Sequence, residues 1–134
     1  MLLDATAKRI EFLREAIVKL GLGDRVEVHL GRAEPFAVAT REAFDLVTAR
    51  SFGAPPVTAE CGAPLVRIGG VLVVSEPPTL DPARWPADGL ATLGLADDGV
   101  VSGPESSVRV LRKTSATPPA YPRAVGVPAK RRLW

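Results

Sequence analysis

The chain has 134 residues, 46% of them apolar, and a mean hydropathy of +0.14, which suits one domain with a real core and excludes disorder as a whole. No window approaches the roughly 18 uninterrupted apolar residues of a membrane span, no secretion signal opens the chain, and the single Cys61 cannot make an internal disulfide, so a cytoplasmic protein without membrane contact is expected. The net charge of +2 hides an asymmetry: residues 1–108 carry ten basic side chains against fifteen acidic ones, while 109–134 carry seven basic ones and no acid, which fits either a polyanion contact at one end or a solvated basic terminus.

Taken in chain order, Met1-Leu2-Leu3 ends on Asp4 as a short strand followed by a turn or helix cap. Ala5 to Leu20 reads as a helix, with Ile10, Leu13, Ile17 and Leu20 on one stripe, and Gly21-Leu22-Gly23 ends it. Arg25 to Leu30 alternates as a strand and stops at Gly31. A helix is expected near Phe36 to Glu42, then an apolar strand from Phe44 to Ala49 with Arg50 at its carboxyl end. Ala59 to Arg67 reads as a helix interrupted by Gly62 and Pro64. Val71 to Val74 is the continuous β-branched run of a strand buried on both faces. Asp81 to Leu95 holds a short helix and turn around Trp85-Pro86. Val100-Val101 and Val108 to Leu111 form a hairpin about Gly103-Pro104, at a sheet edge. From Thr117 onward four prolines favour an extended tail, giving a body over 1–116 and a Pro-rich basic tail over 117–134.

Strands alternating with helices predict an α/β domain with a mostly parallel sheet and a C-terminal antiparallel hairpin. Ligands of such sheets bind outside the carboxyl ends of the strands. Asp4, the Arg32-Ala33-Glu34 segment and Arg50 are expected there together. Asp4 suits ribose hydroxyls because a carboxylate only accepts hydrogen bonds, and it equally suits a helix cap. Glu34 is placed to lie beside a base or to answer a helix dipole. Arg50 needs solvent, a ligand or an acid, with Asp45 and Glu76 as the candidate acids. His29 is the only histidine and reads as structural. No Cys, His and Asp cluster has metal-ligand spacing, Cys61 has no basic activator in sequence, and no Gly-x-Ser-x-Gly occurs, so no catalytic acid, base or nucleophile is assigned.

The string from Leu2 to Leu13, LLDATAKRIEFL, resembles the second-strand and following-helix region of the bacterial glucose-inhibited-division protein B family, methyltransferases of a guanine N7 in small-subunit ribosomal RNA. Gly31-Arg32-Ala33-Glu34 is similar to the family's adenine-side segment. Thr48-Ala49-Arg50 resembles its fourth strand end, and Pro64 to Gly70 the approach to its fifth strand. Arg112 to Arg123 and Gly126 to Lys130 resemble its C-terminal tail. The likeness spans most of the chain and is loose between about Glu76 and Ser107. It implies a class I, Rossmann-like methyltransferase sheet and the cofactor S-adenosyl-L-methionine. Asp4, Ala5 and Thr6 would border the cofactor ribose, Ala33 and Glu34 the adenine, and Arg50, also cofactor-binding, the cofactor and target-base side of the pocket. The implied partner is 16S rRNA or the small ribosomal subunit rather than DNA, met by Arg112, Lys113, Arg123, Lys130, Arg131 and Arg132.

Two departures accompany the resemblance. It begins at the family's second strand, so the first strand and its glycine-rich cofactor loop are expected to be missing from the sheet, through a misassigned start or a true truncation. Where the family has Lys-Gly after the fifth strand, this chain has Glu76-Pro77, which implies weaker RNA engagement. The competing expectations are therefore a catalytically impaired fragment that binds RNA or a partner, and a divergent methyltransferase with another substrate.

Overall fold

The computed structural model describes residues 1–134 and folds as an α/β domain whose strands lie in two sheets. β1 (Leu2–Asp4) pairs in parallel with β2 (Val28–Leu30), and α1 (Ala7–Lys19) connects them. Ile10 and Ile17 of α1 are buried. Leu20 falls just past the helix end and is exposed, so the apolar stripe is one residue shorter than its spacing predicts.

After α2 (Ala33–Ala39), β3 (Phe44–Ala49) runs parallel to β4 (Val66–Glu76), joined to it by α3 (Pro55–Gly62) and a single 3-10 turn over Ala63–Leu65. The helix starts earlier than expected because Pro55 and Pro56 occupy its first turn, where an absent amide hydrogen leaves no bond unmade. Pro64 then sits in the tighter turn that ends it. β4 also starts earlier than the β-branched run, at Val66. Its first residues hold an irregular register against β3, with a shift between Phe44 and Leu46. Gly70 permits this approach, since a Cβ there would stand 2.6 Å from the backbone oxygen of Asp45.

The short α4 (Ala87–Thr92) leads into the hairpin of β5 (Leu95–Ser102) and β6 (Ser107–Lys113). β6 pairs antiparallel with β4, giving the order β3-β4-β6-β5. The expected hairpin is therefore present, with one arm inside the sheet and β5 at its edge. Leu72, Leu90, Leu93, Leu95, Leu111 and Trp85 form the main core. Burial of such side chains stabilises by about 1.5–3 kcal/mol each.

Two buried ions pin distant segments to this core. Lys113 has no exposed side-chain surface, and its ammonium donates to the carbonyls of Ala63 (2.7 Å) and Val66 (3.0 Å) and to Glu42 Oε1 (3.2 Å). Burial pushes its pKa down, against the pull of Glu42, and three acceptors make the buried cation tolerable. The second ion is Glu60, fully buried in α3 and bound by Arg123.

The segment from Thr117 to Trp134 is accordingly seated on the body. Arg41 donates to the carbonyls of Tyr121 (2.6 Å) and Thr117 (2.7 Å), and Trp134 Nε1 donates to the carbonyl of Arg84 (3.0 Å). Leu133 and Trp134 pack against the main core. Only α5 (Val127–Lys130) is regular, and the prolines give an extended course that is docked from end to end.

Candidate functional site

A cavity of about 630 Å³ runs between β1 and β3, lined along both strands from Met1 to Asp4 and from Phe44 to Ala49, and reaches their carboxyl ends. Asp4, Ala5, Thr6, Ala33, Glu34 and Arg50 all line it. The six positions singled out from sequence thus meet in one place, contributed by three successive strand ends. Phe36, Phe44, Val47, Leu65 and Leu72 supply apolar wall, and the volume suits a nucleoside-sized ligand.

Asp4 ends β1 and its Oδ1 accepts the Thr6 amide at 2.7 Å, while Arg9 reaches Oδ2 at 3.2 Å. Thr6, not Asp4, is the cap of α1. The Thr6 amide bond holds the Asp4 carboxyl below its ordinary value, so it is ionised and acceptor-only at neutral pH. A carboxylate has about four lone-pair positions, which leaves capacity for hydroxyl donors from a ligand.

Glu34 stands in the first turn of α2 and is buried. Its Oε1 accepts the Gly126 amide at 2.9 Å, and the Arg32 guanidinium lies 3.3–3.4 Å from its two oxygens. Burial raises its pKa, but the Gly126 amide and Arg32 outweigh this and hold it low. Gly126 caps α5 in the left-handed region, φ 79°, which lets its amide meet Glu34 and brings Ala129 onto the cavity wall. The C-terminal segment therefore forms part of the cavity.

Arg50 is exposed and makes no ion pair. Both acids within reach of it in sequence are engaged elsewhere: Asp45 with Arg67 at 2.5 Å, and Glu76 with Arg84 and Arg109. The cation is left for the cavity.

The basic residues assigned to RNA divide sharply. Lys130, Arg131 and Arg132 are exposed on and just after α5. Lys113 is internal, as described above, and cannot meet RNA. Arg123 spends its guanidinium on Glu60 and on the Arg131 carbonyl, and Arg112 pairs with Asp98. Nothing local in sequence announces these partners, which lie on other elements.

Glu76 also differs from its expected role. Its side chain is 1% exposed. It accepts Trp85 Nε1 at 2.6 Å and Arg109 Nε at 2.8 Å, as well as Arg84. It is the hub of an internal network at the edge of a second cavity, with both carboxylate oxygens already engaged. Cys61 is buried beside Glu34 and Glu60, and burial first, then those carboxylates, push its thiol up to about 12, so it stays protonated and unreactive.

A second cavity, of about 860 Å³, adjoins the first. Thr48 to Phe52 and Thr58 line both. Phe52 and Arg84 were not singled out from sequence. The position of Phe52 two residues beyond a strand-end arginine is the one signal that could have drawn attention to it.

The profile of the family described as "GidB: rRNA small subunit methyltransferase G" matches residues 1–76. Proteins named ribosomal RNA small subunit methyltransferase G are 38% identical in Deinococcus radiodurans and 37% identical in Leuconostoc citreum, over 98% and 97% of this chain. The chain spans 55% and 57% of the length of those relatives. Among solved structures, an O-methyltransferase family protein from Burkholderia thailandensis aligns with TM-score 0.63 at 21% identity, covering 84% of this chain and 43% of that one. A methyltransferase from Geobacter sulfurreducens aligns with TM-score 0.56 at 18% identity, covering 84% and 57%. The structural likenesses establish the fold.

Proposed function

We propose, on the premise that the chain belongs to the GidB family of rRNA small subunit methyltransferase G, that it serves S-adenosylmethionine-dependent methylation of a guanine N7 in 16S ribosomal RNA. The observation that carries this reading is the convergence of Asp4, Glu34 and Arg50 on one cavity at the strand ends.

The residues present fit the cofactor. Ionised Asp4 offers acceptors for ribose hydroxyls, with Ala5 and Thr6 alongside. Ala33 and Glu34 border the position for adenine, with Phe36 among the apolar walls. Arg50 stands toward the neighbouring cavity, on the side of the target base. S-adenosylmethionine, when bound, supplies an already activated sulfonium methyl. Guanine N7 has a free lone pair, so no side chain needs to remove a proton first, and the absence of a histidine or cysteine catalyst is consistent with the reading. The chain's part is alignment of the two reactants and exclusion of water. Lys130, Arg131 and Arg132, on and beyond the helix whose Ala129 walls the cavity, are placed to meet RNA phosphates.

Burial of Glu76 removes the motive for a different substrate, because its carboxylate is satisfied within the protein. The test has two parts. Calorimetry of the chain with S-adenosylmethionine should show micromolar binding. Labelled methyl transfer to small-subunit rRNA from a strain lacking this gene should map to one guanine N7. Cofactor binding with no transfer would favour an impaired protein that binds RNA, and no cofactor binding would sink the reading.

A further inference from the structure

The second cavity has chemistry that the cofactor reading leaves unused. Phe52 is 49% exposed. It follows Ser51, which takes a left-handed φ of 51° just past the end of β3, and it stands in the wall common to both cavities beside the unpaired Arg50. From the far side comes Arg84, the last residue of a 3-10 turn over Pro82–Arg84. Its side chain is 31% exposed, and one guanidinium nitrogen is held by the buried Glu76. Trp85 and Arg109 fix that carboxylate in turn. A guanidinium has five N–H donors in a planar fork, so Arg84 is oriented yet keeps donors free. Ser75, Ser106 and Ser107 add hydroxyls to the lining. An exposed aromatic side chain, one oriented and one unpaired arginine, and hydroxyls together suit recognition of an unstacked nucleotide, with Glu105 the one further acid in the lining.

We propose that this second cavity holds the acceptor nucleotide of single-stranded RNA, its base stacked on Phe52 and its phosphate met by Arg84, with Glu76 as the positioning residue for that arginine. The assignment rests on the methyltransferase reading, under which the shared wall from Thr48 to Phe52 is where acceptor and methyl donor meet. It also gives Glu76 a purpose: the acid that stands in place of the family's lysine holds an arginine from the following turn in the cavity.

Nuclear magnetic resonance titration of the full chain with guanosine 5′-monophosphate and with guanosine tests this. Phe52→Ala should weaken both ligands about tenfold, and Phe52→Tyr should restore them to within about threefold. Arg84→Gln should weaken the monophosphate about five- to tenfold and guanosine by no more than about twofold, with Arg84→Lys recovering most of the difference. A wild-type chain that binds neither ligand, Phe52→Ala binding unchanged, or equal losses for both ligands on Arg84→Gln would each overturn the assignment. S-adenosylmethionine titrated into the same wild-type sample separates the two claims. Failure there removes the methyltransferase reading, whereas cofactor binding with unmoved nucleotide affinities removes only the acceptor site.

Discussion

Glu60 and Arg123 are joined by a two-pronged ion pair, Nε to Oε1 at 2.8 Å and Nη2 to Oε2 at 2.6 Å, with the Arg123 amide adding a third bond at 2.9 Å. Glu60 is fully buried and Arg123 only partly exposed. Removing one partner of such a pair leaves an uncompensated charge. Arg123→Ala should therefore destabilise the fold by about 2–4 kcal/mol, near the lower end of the range for fully buried pairs because water reaches the arginine. The midpoint of urea unfolding is the measurement, and an unchanged midpoint would mean the pair is dispensable.

Asp4→Asn separates the two roles of that carboxylate. Asparagine keeps an oxygen for the Thr6 amide but loses the charge and half of the acceptor capacity. Stability should change by less than about 1 kcal/mol, while affinity for S-adenosylmethionine falls about tenfold or more. Calorimetry beside thermal unfolding distinguishes this from simple loss of fold.

Arg50→Ala should leave stability within about 0.5 kcal/mol of the parent, since the side chain is exposed and unpaired. Methyl transfer, measured at saturating RNA, should fall. An unaltered rate would exclude Arg50 from the site.

The basic residues predict a dissociation of effects. Neutralising Lys130, Arg131 and Arg132 together should lower RNA affinity and reduce the slope of log affinity against log salt by about 2, with little change in stability. Lys113→Ala should do the reverse in kind, costing about 2–4 kcal/mol of stability through the emptied interior space and the lost bonds to Glu42, Ala63 and Val66, with Glu42 keeping the Thr117 amide and partial exposure. Likewise Glu76→Lys, which restores the family's cation, should unfold the protein instead of strengthening RNA binding. It would bury a third positive charge beside Arg84 and Arg109.

Acid lability follows from Asp4, Glu34 and Glu42, all of which are held below their ordinary values of 3.8, 4.5 and 4.5. For Glu42, burial raises the pKa, but the Lys113 ammonium and the Thr117 amide outweigh it. A carboxyl with a depressed folded pKa contributes stability that is present above its unfolded value and lost as pH falls through the folded one. Unfolding midpoints should be insensitive to these groups above about pH 5.5 and fall steadily below about pH 4, less steeply in Glu42→Gln.

The strands and the residues that line the first cavity were legible because both follow local rules. Phe44 to Ala49 is an apolar run of strand length, and Asp4, Glu34 and Arg50 each stand where a strand or turn ends. The pairings of Glu60 with Arg123 and of Lys113 with Glu42 were not, since their partners lie 63 and 71 positions away and nothing local marks a charge as internal. Lys113 and Arg123 read as RNA contacts for the same reason: charge in a sequence does not say which way it faces. Glu76 is the sharpest case, being one residue whose sign suggested repulsion of a ligand and whose burial makes it a support.

The chain contains two tryptophans, and both indole N–H groups bond within one corner, Trp85 to Glu76 and Trp134 to the Arg84 carbonyl. Neither lines the cavity between β1 and β3. Trp85 lines the second cavity, and Trp134 reaches it only through the Arg84 backbone, so the intrinsic fluorescence reports on that cavity and is remote in bonding from the other. Emission from the unlabelled wild type should respond when a nucleotide settles against Arg84 and stay comparatively quiet when the neighbouring cavity alone is filled.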